Sequence, residues 1–246
     1  HAMNFTDFLY RPRRPEELDT AQGGGVVFSQ AAHQVDIVRL LAGGQARSVY
    51  ARTGAWDPAR PTEGAYMALM DFEGGAVANL TYSGYAFYDS DALMDGVGEM
   101  GHPKVPGTHQ ATRKKLAAAT DEAAEAAQKA QRNYGGSAYQ PDTSGAPDAF
   151  QHFGPVIVCC DRADLRLTSR GVEVHDQDGV RLEALPAPAI ARSEVIDELW
   201  SVAREGRDPV HGGAWSRATV EVCLAILASQ REGRAIILSE QVAATT

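Results

Sequence analysis

His33 is the residue whose type and position most invite chemistry. It follows the triple glycine Gly23-Gly24-Gly25 after seven residues and precedes Asp36 by three. Histidine gives or takes a proton near neutral pH, which suits it to general acid–base work. Residues at i and i+3 share one face of a helix, so Asp36 is expected beside His33. A second candidate set lies upstream. Arg11, Arg13 and Arg14 alternate with Pro12 and Pro15 in an irregular loop just before the glycines. A guanidinium fork matches a carboxylate bidentately, so this loop could present cations to an anionic ligand. The plain alternatives are a solvated basic loop and a histidine satisfied within its own helix.

These residues need elements to position them. The triple glycine reads as a turn opening a helix, with Val35, Val38 and Leu41 (or Ile37 and Leu40) as its apolar side. Gly43-Gly44 end that helix. Residues 1–3 have the look of a tag remnant. Residues 4–10 alternate like a strand, and 4–246 reads as one domain cut from a longer protein. Strands are expected at 46–56, 64–72 and 76–83, the last two forming a hairpin across Glu73-Gly74-Gly75. Tyr82, Tyr85, Phe87 and Tyr88 cluster at its end, as pocket lining or as sheet-end packing.

Residues 94–147 change character and read as an insertion. A surface helix is expected over 111–132, where Leu116 is the only large aliphatic residue, and a mobile stretch over 133–147. Strands resume at 153–160, 164–168, 171–175 and 180–185. Helices follow at 194–205, capped by Ser193, and at 214–231, with an extended piece at 235–238. This order argues an α+β fold: an open-faced, mostly antiparallel sheet with helices packed on one face. Met67, Leu69 and Val77 would lie on the other face and favour a sheet-to-sheet homodimer.

Several classes are disfavoured. The formal net charge of −9 argues against nucleic acid as a main partner. No apolar run approaches the ~20 residues of a membrane span. Three cysteines form neither a disulfide framework nor a zinc pattern, so no metal site is expected and a cytoplasmic setting is. No Gly-x-Gly-x-x-Gly unit links a strand to a helix, and no P-loop or nucleophile elbow occurs. His102, His109, His152 and His211 are scattered and read as surface or structural residues.

The glycine triplet, the seven-residue gap, His33 and Asp36 together resemble the C-terminal domain of the glucose–fructose oxidoreductase and inositol dehydrogenase family. The terminal stretch from Gly212-Gly213-Ala-Trp-Ser-Arg through Glu-Gly-Arg234 is similar to that family's last helix and strand. Within the family, Phe8-Leu-Tyr-Arg-Pro-Arg-Arg-Pro-Glu-Glu-Leu-Asp19, Thr53-Gly-Ala-Trp-Asp-Pro58 and Asn133-Tyr-Gly-Gly136 are similar to the phthalate 4,5-cis-dihydrodiol dehydrogenases. The resemblance implies a substrate-binding and dimerisation domain whose NAD or NADP is bound mainly by an N-terminal Rossmann domain absent from this chain. Alone, the chain would be inactive. It implies oxidation of cis-4,5-dihydro-4,5-dihydroxyphthalate to 4,5-dihydroxyphthalate, with a sugar, an inositol or another carboxylated ring as the alternative substrate, or a non-catalytic assembly role. His33 would be the catalytic residue. Arg11, Arg13, Arg14, Gln30 and Asp36 would serve a small anionic ring substrate or orient His33. Many relatives carry an aspartate four residues before the histidine; here that position is Ser29.

Overall fold

The computed structural model describes residues 1–105, 107–140 and 145–244. Part of the 133–147 stretch, at 141–144, lies outside the described residues, as do the side chains of Thr108 and His109. Five strands form the main sheet: β1 (Ala2–Phe5), β2 (Ala46–Gly54), β3 (Ala65–Phe72), β4 (Val77–Ser83) and, after four more strands, β9 (Ile236–Ile237), in the order β1-β4-β3-β2-β9. The β3–β4 hairpin is antiparallel, as is β2 against β3, while β1 runs parallel to β4. Period-2 alternation sorts the side chains. Tyr66, Ala68, Met70 and Phe72 face the core, whereas Met67, Leu69 and Val77 are exposed on the opposite face.

The main sheet has a neighbour that the sequence pattern does not separate from it. Strands β5 (Ile157–Cys159), β6 (Ala163–Thr168), β7 (Gly171–Asp176) and β8 (Gly179–Ala184) make an antiparallel four-stranded sheet. It joins the first through an isolated bridge between Ala2 and Val156. The Met3 N–H donates to the Pro155 carbonyl at 3.1 Å beside it. Ala2 and Met3 thus belong to the sheet, and Ala2 is buried.

Helix α1 (Ala32–Leu41) and helix α5 (Gly213–Glu232) cover the inner face. Val35 and Val38 of α1 pack with Val222 and Ile226 of α5 in the core, while Leu41 is exposed. On α5, Ser229 and Gln230 accept the N–H groups of Ala51 and Thr53 at 2.8 and 3.0 Å. The 94–147 segment holds two helices, α2 (Thr108–Leu116) and α3 (Glu122–Arg132), rather than one. Asp121 divides them because its carboxylate accepts the Ala124 N–H and starts a new helix. Helix α4 (Ser193–Glu205) contains Ser193 as its first residue and is preceded by Arg192 in the left-handed conformation, so Ser193 is not its cap. Val195, Ile196, Leu199 and Trp200 of α4 are exposed. Among the described residues no helix is long and apolar enough to cross a membrane.

The expected strand over 4–10 stops at Phe5, and a 3-10 turn (Phe8–Tyr10) follows. Thr6 ends the strand by accepting the Phe8 N–H through its hydroxyl. The glycine turn is fixed by a buried carboxylate, Glu63. Its Oε1 accepts the Val27 N–H at 3.1 Å, its backbone carbonyl accepts the Val26 N–H at 3.1 Å, and the Thr20 and Thr62 hydroxyls donate to Oε2. Gly23 and Gly25 take positive φ, and a Cβ on Gly25 would stand 2.0 Å from Glu63 Oε1. The chain then enters a π-helical turn, Val27–Ala31, before α1. Such wide turns shift the phase of the helix that follows and recur at functional sites.

Gly25→Ala therefore adds left-handed strain and displaces a bonded carboxylate. It should destabilise the fold by about 2–4 kcal/mol, read as a lower urea midpoint. Gly74, with positive φ and open space around it, is the control, and its alanine variant should lose about 1–2 kcal/mol.

Candidate functional site

His33 is exposed in the first turn of α1. Among the described residues it has no hydrogen-bond or ion-pair partner, and it is positioned by stacking. Its ring lies 4.7 Å from Phe153 at a tilt of 37°. Phe153 stacks on Tyr82 at 6.1 Å, and Tyr82 stacks on Tyr66 at 5.7 Å, both within 10° of parallel. A row of rings thus runs from the core to His33 and holds its imidazole with both ring nitrogens unengaged.

The residues expected to orient His33 do other work. Asp36 turns toward α5, where it accepts from Trp215 Nε1 at 2.5 Å and from the Thr219 hydroxyl at 3.0 Å. Ser29 donates back to the Gly25 carbonyl at 2.5 Å. Gln30 donates to the Ser29 carbonyl at 2.8 Å, and its Oε1 accepts from Tyr82 OH at 3.4 Å. Tyr82 OH also meets the Thr6 hydroxyl at 2.9 Å. Burial holds the Tyr82 phenol well above its usual range, with the Thr6 hydrogen bond opposing, so it stays neutral.

The three arginines separate. Arg13 is largely buried, its side chain 11% exposed. Its guanidinium lies 3.6 Å over the Phe8 ring, Nη2 donates to the Phe8 carbonyl at 2.8 Å, and Nη1 is 3.6 Å from Glu17. Its Nε is buried without a hydrogen-bond partner. Burial draws the Arg13 pKa below its usual value, against the pull of Glu17. Arg13 lines a small cavity of about 110 Å³ with Phe8, Glu17, Gly23, Gly24, Gly25 and Ser29. Arg11 is half-exposed, pairs with Asp7 at 3.3 Å and lines a second cavity of about 280 Å³ with Thr6, Glu99, His102 and Lys104. Both Arg11 and Arg13 lie close enough to Tyr82 to act on its charge. Arg14 points to Glu16 and Glu17 at 3.1 and 3.5 Å, on the exposed side of the loop.

The structure therefore links His33 and Gln30 to Tyr82, the first through Phe153, sets Arg11 and Arg13 within electrostatic reach of Tyr82 in two separate cavities, and turns Asp36 and Arg14 to other partners. Phe153 and Glu63 were not singled out by the sequence. Phe153 fell at the start of an expected strand, and Glu63 lay before a hairpin with no motif around it. Of the aromatic cluster, Tyr82 stacks on Phe153, while Tyr85 packs with Tyr10 and Trp56. His152 is structural: it is buried, with Nε2 at 2.9 Å from the Val97 carbonyl and Nδ1 accepting from Gly154 N–H. Among the described residues no group of histidines, cysteines and carboxylates could hold a metal ion.

Comparison with known proteins gives this arrangement a setting. The profile of the GFO/IDH/MocA C-terminal domain matches residues 2–102. A Comamonas testosteroni protein, 1-carboxy-3-chloro-3,4-dihydroxycyclohexa-1,5-diene dehydrogenase, is 43% identical over 227 residues, covering 92% of this chain and 57% of its own. The solved structure of a Bordetella bronchiseptica RB50 protein designated a dehydrogenase superposes with a TM-score of 0.84 at 38% identity, over 96% of this chain and 60% of its own. Levoglucosan dehydrogenase, solved with NADH and levoglucosan, shares the fold at 13% identity with a TM-score of 0.62, over 97% of this chain and 58% of its own. The chain spans less than two thirds of the length of each of these relatives.

The role of Asp36 is open to direct measurement. Asp36→Ala strips Trp215 Nε1 of its acceptor and should cost about 1–3 kcal/mol of unfolding free energy. If Asp36 instead oriented His33, stability would hold and turnover of the whole protein would fall.

Proposed function

We propose that this chain, which resembles the GFO/IDH/MocA C-terminal domain, is the substrate-binding half of an NAD(P)-dependent dehydrogenase acting on a carboxylated cis-dihydrodiol. The observation that carries the reading is His33: an exposed imidazole, unengaged, stacked on Phe153 at 4.7 Å, at the end of a ring row whose Tyr82 lies within electrostatic reach of Arg11 and Arg13. In the proposed reaction His33 takes the proton of a ring hydroxyl while the carbon bearing it gives up a hydride. The resulting enone tautomerises to a catechol, and aromaticity drives the step forward. Phe153 provides an apolar floor for the ring. Arg11 and Arg13 receive its carboxylate groups.

The Comamonas testosteroni relative is named for a carboxylated, dihydroxylated cyclohexadiene, which is the chemistry this set of residues suits. A phthalate-type diol, with two carboxylates, is our first choice because the loop carries two guanidinium groups, Arg11 and Arg13, within electrostatic reach of Tyr82. NAD or NADP supplies the hydride acceptor. The glycine turn of this chain does not fit its phosphates: the Val26 and Val27 N–H groups are already taken by Glu63, whose carboxylate would repel an anion there. We therefore assign the cofactor's grip to a nucleotide-binding domain of the whole protein. We also propose a cytoplasmic enzyme, in keeping with three free cysteines, that dimerises through the sheet face carrying Met67, Leu69 and Val77.

Assay of the whole protein on 4,5-dihydrodiols of phthalate and of benzoate tests the reading. His33→Ala should lower kcat by about 10²–10⁴-fold. Arg13→Ala should raise KM for the dicarboxylate by about 10–100-fold, the worth of a charge-assisted hydrogen bond. Turnover of neutral sugars or inositols in preference to both acids would overturn it. Light scattering on Leu69→Lys should show the dimer lost, and a wild-type monomer would contradict the sheet-face interface.

A further inference from the structure

The two helices between β4 and β5 are not a bystander on the surface; they reach the arginine loop. Glu125 of α3 accepts from Arg60 Nη1 through both carboxylate oxygens, at 2.7 and 3.0 Å, and from the backbone N–H of Arg13 at 2.7 Å. The Arg60 and Glu125 side chains are only 4% and 12% exposed. One turn further along α3, Lys129 pairs with Glu17. Glu17 in turn stands 3.6 Å from Arg13 Nη1 and accepts the Arg14 N–H at 2.8 Å. From α2, the Arg113 guanidinium lies 3.8 Å over Tyr10 and 4.0 Å over Phe87, and donates to the Ala86 carbonyl at 3.0 Å.

We propose that Glu125 is a positioning residue: through Arg60 and the Arg13 backbone it clamps the loop that carries Arg11 and Arg13, and so makes the inserted helices a determinant of selectivity for carboxylated substrates. The physical reasons are direct. The loop contains two prolines and makes no sheet pairing; its own regular structure is the short 3-10 turn Pro15–Leu18, which begins only after the arginines, so Arg13 is held by contacts from outside the loop as well. A carboxylate that accepts from a buried guanidinium and a loop N–H at once fixes both, because leaving either charge buried and unpaired is costly. Arg13 then meets the cavity beside Gly23–Gly25 with its ring contact to Phe8 already set. An ordered cation binds an anion without losing side-chain freedom at that moment.

This inference rests on the dehydrogenase reading for its substrate, but the clamp itself is measurable without one. In the whole protein, Glu125→Gln should raise amide hydrogen exchange across 11–18 at least tenfold, with exchange in β2–β4 unchanged. The same variant should raise KM for the phthalate dihydrodiol about tenfold, leave kcat within about twofold, and leave KM for an uncarboxylated dihydrodiol unchanged. Glu125→Asp should recover part of the KM effect. Unchanged exchange at 11–18 overturns the clamp, and so does an equal loss on charged and uncharged substrates, which would mark Glu125 as structural only. If the wild type turns over no dihydrodiol, the proposed function fails, while the exchange experiment still decides the clamp.

Discussion

A single buried carboxylate sets the geometry from which the rest follows. Glu63, 5% exposed, takes hydrogen bonds from Val27 N–H and from the Thr20 and Thr62 hydroxyls. A polar group inside a protein is tolerated only when such partners surround it. Once it is there, the chain above it must be glycine, since a side chain at Gly25 would occupy the carboxylate's own place. The turn in turn launches the π-helical turn and α1, and so decides which way Ser29, Gln30 and His33 face.

His33 is oriented without a carboxylate. Stacking on Phe153, backed by Tyr82 and Tyr66, fixes the ring plane and leaves its nitrogens open to a ligand. Asp36, freed from that duty, ties α1 to α5 through Trp215 and Thr219. Arg39 strengthens the same junction: it is fully buried, donates to the Trp215 carbonyl and the Thr219 hydroxyl, and lies 3.9 Å over the Trp215 ring. The acidic side of the helix holds the scaffold together, and the histidine side faces outward.

Local pattern made much of this legible. Alternation located β2, β3 and β4 and their exposed face, and the glycine triplet located the start of the helix that carries His33. Pairing i with i+3 misassigned Asp36 because spacing names a face but not the neighbour that the face meets; Trp215 lies 179 residues away. Propensity read 111–132 as one helix because alanine and lysine run on either side of Asp121, whose capping bond is what divides it. Glu125 looked like one more charge on a solvated helix. Its value comes from Arg60 and Arg13, distant in sequence and brought under α3 by the fold. Phe153 could have been suspected only as an aromatic residue at the point where the strands resume.

The central claim is that His33, the Phe153–Tyr82 row and Arg13 form one substrate site. A crystal structure of the whole protein with NAD+ and a slow carboxylated dihydrodiol analogue tests it most directly. The account predicts the ring against Phe153, a hydroxyl oxygen within about 3 Å of a His33 ring nitrogen, and a carboxylate on Arg13 or Arg11. An analogue bound elsewhere, or bound with its carboxylate away from both arginines, would contradict it.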